Sequence, residues 1–477
     1  MKTLRFNRRA RAALLAALAL VSFAFVGTSA KAQISPLLGG DIVVTIYGKA
    51  GTPATSGTYT DGVATPISLQ EFSATTIAAG IDNTTPLYNQ TLPTSGTGAN
   101  VGIVGEYASS SEGTIQLSGD GQYLSIGGYD GNQQNVGSVG GLGYGLNGSP
   151  AEAQSTTANV PRVAALINIA TGAVDTSTVL NDIYNTNNPR SAFTANGTSF
   201  YLSGQGASKS DQGGIYTAPL GDNTTTGGPA PTGIYNTSST RTVTQSLVNA
   251  ANGTTSSTPN TYVSIDQNGK SIINAGIFEY AGSPTTNQGT SLGTRITTAT
   301  ASTPAGIANL SPQGFFFANP TTLYVADTGL PKTVGLSDGG LQKWTYSSTT
   351  QAWTLAYTLT ASTFVAPSLT SSASNGETGL ASLTGKVNGD GTVSLFGTSY
   401  TAGNADPDGL YGVVDTLANT TPSSGESLIE LATSGTNSDF KGVVFIPAAV
   451  PEPSSWALAA LAVAGFAWLR RKVGVRP

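Results

Sequence analysis

Thr114-Ile115-Gln116-Leu117-Ser118-Gly119-Asp120-Gly121-Gln122-Tyr123-Leu124-Ser125-Ile126-Gly127-Gly128 is an alternating run that folds back on itself. Apolar and polar residues alternate on both sides of Asp120-Gly121, the period of a half-buried strand, and Gly121 supplies the positive φ that a tight hairpin needs. Ile115 and Leu117 are expected on one face, Leu124 and Ile126 on another. The unit recurs. Phe193 to Gly204 bends at Asn196-Gly197, Val263 to Gly276 at Asn268-Gly269, and Leu383 to Gly397 at Asp390-Gly391. A fifth hairpin runs from Phe315 through Asn319-Pro320 to Asp327.

A second alternating pair follows the outgoing strand. Gly339–Tyr346 and Ala352–Leu359 flank a turn at Ser347 to Gln351; Gly213–Leu220 and Val163–Ile169, with its Thr171-Gly172 turn, look like the same piece. Four antiparallel strands repeated along a chain are the signature of a propeller blade. The expected fold class is therefore all-β, a β-propeller over residues 33–447. At about 40–50 residues per blade, the unevenly spaced turns suggest seven blades with long insertions, with six or eight left open. A β-solenoid is the other architecture considered, and it lacks the constant short period a parallel coil requires. Asp41–Tyr47 and Lys441–Pro447 both read as strands, and pairing them in one blade would close the ring without leaving a sheet edge. Asn223–Pro231 and Thr254–Pro259, rich in Thr, Ser, Gly and Pro, read as surface loops.

Composition closes several chemistries. The 477 residues include 60 Gly and 24 Pro, only 10% are charged, and the net charge is −5. No basic face is available for nucleic acid. There is no His and no Cys, which removes Ser-His-Asp and Cys-His catalysis, His or Cys zinc sites, His-ligated haem and iron–sulfur clusters. Carboxylate chemistry and oxygen-ligand metal binding remain. Asn404, Asp406, Asp408 and Asp415 stand at positions 1, 3, 5 and 12 of a twelve-residue stretch with Gly409 at 6, the spacing of a calcium loop. The Asp at position 12 is too short for the usual bidentate contact, and the flanks read as strands, so a blade turn at Asp408-Gly409 competes with a structural calcium. Apart from that possible ion, no cofactor is expected. Trp344, Tyr346, Trp353 and Tyr357 fit the wedge between blades better than a sugar-stacking platform. Glycoside cleavage needs two acids about 5–9.5 Å apart, and no pair among Glu71, Glu106, Glu112, Glu152, Glu279, Glu377, Glu426 and Glu430 is brought together by the sequence. Glu279, inside a strand, reads as solvent-facing.

The two termini carry addresses. Arg5, Arg8, Arg9 and Arg11 precede the apolar Ala12–Val26, and Ala30-Lys31-Ala32 before Gln33 has the small-residue pattern of a signal-peptide cut, so residues 1–32 read as a secretory signal for the Sec translocation machinery. At the other end, residues 448–477 hold Val450-Pro451-Glu452-Pro453, an uncharged run from Ser454 to Leu469, and Arg470-Arg471-Lys472. About 16 residues give roughly 24 Å of helix against a hydrocarbon core of about 30 Å. Trp456 and Trp468 sit where rings favour the interface, and the basic cluster keeps to the cytoplasmic side. The tail is a marginal anchor.

This tripartite end resembles the PEP-CTERM sorting signal of Gram-negative bacteria. The resemblance implies that a membrane transpeptidase, exosortase, cuts at Pro451-Glu452-Pro453 after transient inner-membrane anchoring, and that the protein passes to the cell surface or the extracellular exopolysaccharide matrix. The strand layout also resembles exported propeller proteins that carry the same tail, which implies no activity. The expectation is a non-enzymatic surface or matrix protein contacting exopolysaccharide or surface proteins; the alternative is a carboxylate-dependent carbohydrate hydrolase or lyase.

Overall fold

The computed structural model describes residues 32–48, 59–74, 85–133, 150–206, 213–235, 239–265, 275–288, 293–297, 311–329, 339–364, 376–402 and 407–448. The chain opens with β1 Ala32–Gln33, β2 Ile42–Gly48, β3 Ala64–Phe72, β4 Tyr88–Thr91 and β5 Ile103–Glu106. Then come β6 Ile115–Leu117, β7 Tyr123–Asp130, β8 Arg162–Asn168 and β9 Ala173–Leu180, an antiparallel meander that forms the first blade. The second holds β10 Pro189–Phe193, β11 Ser199–Gly204, β12 Gly214–Pro219 and β13 Thr232–Tyr235. The third holds β14 Thr240–Asn249, β15 Thr254–Ile265, β16 Gly276–Tyr280 and β17 Thr294–Arg295. In the fourth are β18 Pro312–Asn319, β19 Thr322–Asp327, β20 Gly340–Ser347 and β21 Ala352–Leu359. The fifth comprises β22 Gly376–Val387, β23 Thr392–Ala402, β24 Gly409–Thr416 and β25 Ile429–Thr433. Last, β26 Ser438–Phe445 pairs with β2, and β2, β3 and β4 complete a sixth blade begun by the end of the chain.

The second to fifth blades are separate four-stranded sheets; the first and sixth are joined through β5 into one ten-stranded sheet. Four separate units and two joined ones make six blades among the described residues, one of the counts left open beside the expected seven. The expected pairing of Asp41–Tyr47 with Lys441–Pro447 is present, with Val43 opposite Val444 and Ile42 opposite Phe445. The hairpins at Asp120-Gly121, Asn196-Gly197 and Asp390-Gly391 form, and their glycines take φ of 72°, 77° and 86°. Two local readings are corrected. Ile115 lies opposite Ile126 and Leu117 opposite Leu124, so all four share one face, as directly paired residues must. Thr254–Pro259 is the exposed start of β15, not a loop. The Asn268-Gly269 turn lies outside the described residues, although its flanks pair, Ile265 with Gly276.

Period-2 alternation sends neighbouring side chains of one strand into different wedges between blades. Val43 packs with Ile115, Leu124 and Val163 between the sixth and first blades, while Ile42 and Val44 pack with Phe396 and Leu410 of the fifth. Tyr324 and Ala326 face Leu380 and Leu395; Leu323 and Val325 face Val248 and Tyr262. Phe200 and Leu202 meet Ala164 and Leu166, and Tyr201 meets Val263. Six apolar wedges thus run around the ring, one per junction. Each fully buried aliphatic or aromatic side chain is worth about 1.5–3 kcal/mol, which lets a chain without disulfides hold together.

A hydroxyl reinforces five junctions. Thr45 Oγ1 donates to the Gly113 carbonyl at 2.7 Å, Ser125 Oγ to Ala192 at 2.8 Å, Ser264 Oγ to Gln313 at 2.6 Å and Thr398 Oγ1 to Lys441 at 2.6 Å. Ser203 Oγ donates in the same way to Arg241. Each sits on the second strand of one blade and reaches the innermost strand, or its lead-in, of the next. Two also accept an N–H from their own innermost strand, from Gly442 at 2.6 Å and Thr242 at 2.9 Å, where the pairing register slips at a bulge. The bulge would strand a buried donor, and the hydroxyl satisfies it. At the junction of the fourth and fifth blades the equivalent residue is Ala326, and Thr378 Oγ1 donates instead to the Thr328 carbonyl at 2.8 Å.

Candidate functional site

The innermost strands enclose a cavity of about 320 Å³ on the ring axis. β6, β14, β18, β22 and β26 contribute its walls. Gln116, Thr242, Thr244, Gln245, Ser246, Ser382 and Thr384 present hydroxyls and amides; Leu117, Phe316, Val444, Phe445 and Pro447 present apolar surface. Among the described residues that wall it, none has an ionisable side chain. Such a lining offers hydrogen bonds and flat apolar contact to a neutral polar ligand, and no counter-charge to an ion.

Toward the other end of the axis, where the innermost strands begin, charge is concentrated and buried. Glu112 Oε2 accepts the Glu106 N–H at 3.1 Å, and its Oε1 accepts Asn188 Nδ2 at 2.6 Å and the Tyr129 hydroxyl. Glu106 accepts the Ala153 N–H. Lys441 Nζ lies 3.2 Å from Asp439, which also accepts the Ala108 N–H at 2.9 Å. Asp408 accepts the Thr401 hydroxyl at 2.8 Å. Burial raises the pKa of Glu112, and raises that of Glu106 further with the help of Glu112 itself. Burial likewise holds Asp408 well above the carboxylate range. Burial works to lower Lys441, but Asp439 and Asp408 outweigh it and the ammonium is held charged. The cavity that Glu112, Asp408 and Lys441 share measures about 20 Å³, room for about one water. Glu112 holds main chain and Asp408 a threonine hydroxyl; a sugar ring does not fit between them. Among the described residues no group of three or more acids could hold a metal ion.

The calcium spacing does not assemble. Asp408 precedes β24 and Asp415 is near its far end, roughly 23 Å away at about 3.3 Å per residue. Asp415 is instead ion-paired with Lys343 at 2.9 Å, both side chains buried, and it accepts the Tyr357 hydroxyl at 2.6 Å and that of Tyr324. Burial alone would raise its pKa, but these donors bring it below the usual range. Asn404 and Asp406 lie outside the described residues. A strand, not a loop, occupies the second half of the motif.

Glu279 is buried rather than solvent-facing: it accepts Asn260 Nδ2 at 2.6 Å, the Tyr262 hydroxyl at 2.8 Å and the Ala251 N–H at 2.7 Å. The aromatics fill wedges as expected. Trp344 and Trp353 are buried, with Trp353 Nε1 donating to the Ala250 carbonyl across the junction at 2.7 Å. Of the cut-site residues, Ala32 and Gln33 form β1 and pair with Val174 and Ala173. Ala30, the sorting residues Val450, Pro451, Glu452 and Pro453, and the membrane residues Trp456, Trp468, Arg470, Arg471 and Lys472 lie outside the described residues. No helix of the described residues is long and apolar enough to cross a membrane.

Sheet topology and tail together define a class: an all-β propeller-like domain followed by a C-terminal sorting segment. A family model for the PEP-CTERM protein-sorting motif matches residues 449–472. That motif implies an exported, cell-surface-directed protein processed by exosortase-type machinery. No curated protein matches the chain. Among solved structures it is similar to an oligogalacturonate lyase from Vibrio parahaemolyticus (TM-score 0.31, 9% identity, 77% of this chain and 76% of that one). It is also similar to a GH74 xyloglucanase from Xanthomonas campestris (TM-score 0.34, 12% identity, 84% and 47%). A third likeness is to an extracellular domain from B. thetaiotaomicron described as part of a hybrid two-component system (TM-score 0.31, 11% identity, 84% and 35%). The chain spans about a third to a half of the length of the latter two. The propeller assignment rests on strand order and the six wedges, not on these likenesses.

Proposed function

We propose that the chain is a non-enzymatic component of the cell surface or extracellular matrix that binds neutral polysaccharide through its axial cavity. In this reading residues 1–32 direct export through the Sec machinery. Residues 448–477 anchor the chain briefly in the inner membrane of a Gram-negative cell, and an exosortase cuts at Pro451-Glu452-Pro453. The observation that carries the binding role is the axial cavity, about 320 Å³, walled by hydroxyls, amides and phenyl rings without an ionisable group. It suits uncharged sugar hydroxyls and leaves no acid poised over a glycosidic bond. The test is incubation of the purified protein with matrix polysaccharide. Retention on the polymer, lost when Thr244→Trp fills the cavity, supports binding. Reducing ends accumulating with time would favour a hydrolase or lyase and end the non-enzymatic reading.

A further inference from the structure

The innermost strands all run toward the end of the ring at which the axial cavity opens, and the described chain leaves from that end at both of its limits. Gln33 Nε2 donates to the Thr171 carbonyl at 2.7 Å, at the turn between β8 and β9. From there the chain runs to Gly40, whose N–H donates to the Ile446 carbonyl at 2.7 Å. Ala448 lies beside it, with an ideal Cβ at Gly40 4.0 Å from the Ala448 Cβ. The apolar runs read from the sequence, Ala12–Val26 and Ser454–Leu469, therefore attach to one face of the domain.

The same face collects the exposed apolar side chains. Leu38, Leu87 and Tyr88, at 44%, 49% and 42% exposure, cluster around the exit: the Leu38 N–H donates to Glu71 Oε1 at 2.6 Å, the Leu87 N–H donates to the Glu71 carbonyl at 2.7 Å, and Tyr88 pairs with Glu71. Val387 closes β22 and pairs with Val393, Val414 is a residue further on in the same ladder, and Leu247 lies near the end of β14 across the axis. Of the seven large apolar side chains exposed among the described residues, only Ile429 starts further from this face. Exposed charges of both signs share it, Asp120 and Asp390 in hairpin turns and Lys386 beside Val387, with acids in excess among these three, so anionic headgroups are not the attraction. Six residues separate Pro447 from Ser454, where the apolar tail begins; at about 3.3–3.6 Å per residue they span at most roughly 25 Å. A domain on so short a tether is held against the bilayer.

We propose that this face, through Leu38, Leu87, Tyr88, Leu247, Val387 and Val414, rests on the lipid surface while the tail is inserted, and that the cut at the Pro-Glu-Pro motif releases it and uncovers the axial cavity. The proposal rests on the sorting reading and adds an orientation and a timing to it. The contact is apolar and insensitive to salt.

The chain has no Cys, so single labels report cleanly. Leu87→Cys, Leu247→Cys and Val387→Cys, with Asp61→Cys on the turn at the opposite face, are made in the full-length chain. Each carries a polarity-sensitive fluorophore and is reconstituted into phosphatidylcholine vesicles containing brominated lipid. The first three emissions are expected to move to the blue and to be quenched, at low and high salt alike, with Asp61 unchanged. Quenching of Trp456 and Trp468 scores tail insertion separately. Inserted tails with all four labels in water would overturn the docking and leave the sorting reading standing. Tails that fail to insert would overturn both.

Discussion

Glu152 carries the sharpest prediction. Its carboxyl is fully buried, and neither oxygen has a hydrogen-bond partner among the described residues. Burial pushes its pKa from 4.5 up to about 8, with Arg162 holding it back and Glu112 adding to the rise. A folded-state pKa above the unfolded one means that the native state prefers the protonated acid. That preference stabilises fully below about pH 4.5 and is lost as pH climbs through about 8. The gap of about 3.5 units is worth at most about 5 kcal/mol at 1.36 kcal/mol per unit. Glu152→Gln keeps the shape and cannot ionise, so it should match the parent near pH 4.5 and gain on it steadily to pH 9. With an unfolding entropy of about 2.1 cal/mol/K per residue over about 410 residues, each kcal/mol moves the melting point by about 1 °C. The expected advantage at pH 9 is therefore up to about 5 °C. Thermal melts of both proteins from pH 4.5 to 9 read this directly, and slopes common to both, such as that from Glu71, whose pKa burial raises to about 7, cancel in the difference. A variant less stable at pH 9 than the parent would show that Glu152 is an ionised partner of Arg162, and the reasoning would fall.

Three further outcomes follow from the same geometry. Lys343→Met strands Asp415 in the wedge between the fourth and fifth blades and should cost about 3–5 kcal/mol, with Lys343→Met/Asp415→Leu recovering part of it; denaturant melts of both variants and the parent decide it. Because Asp415 is held below the usual carboxylate range, its contribution persists above the unfolded pKa and is lost only as pH falls through the lower folded value, so the penalty of Lys343→Met should shrink in strong acid. Ser264→Ala removes both the Gln313 and Thr242 hydrogen bonds and should cost about 1–3 kcal/mol, whereas Ala326→Ser, where the chain has no such clasp, should change the melting point little. Millimolar calcium is expected to leave the melting temperature unchanged, since Asp408 and Asp415 cannot share an ion.

Hairpins and ring closure were legible because they are local or strictly periodic. Asp120-Gly121 and Asn196-Gly197 name their own turn, and Asp41–Tyr47 and Lys441–Pro447 both read as strands. Blade number was not legible, because it depends on which strands the long connections join, and β5 spends its pairing on linking two blades. The calcium spacing misled for a related reason: a side-chain interval has no register until the backbone state is known, and extended chain carries Asp415 away from Asp408. Glu279 read as exposed because alternation gives a period but not the face, and in a blade both faces are interior. One signal was present and overlooked. Val44-Thr45-Ile46, Leu124-Ser125-Ile126 and Val263-Ser264-Ile265 each place a hydroxyl between two apolar residues in a second strand, and each proves to be a clasp to the next blade.

Closure of the ring by β2 and β26 has a kinetic consequence. β2 pairs early with β3 but cannot acquire β26 until nearly 400 further residues have been delivered, so this is the most distant strand pairing among the described residues and the slowest to find. The sorting motif begins four residues after β26 ends. The domain is thus complete only when the chain has been made almost to its sorting motif, and a chain stalled before that point would present an open wedge between the fifth and sixth blades, with Ile42, Val44 and Phe72 bare.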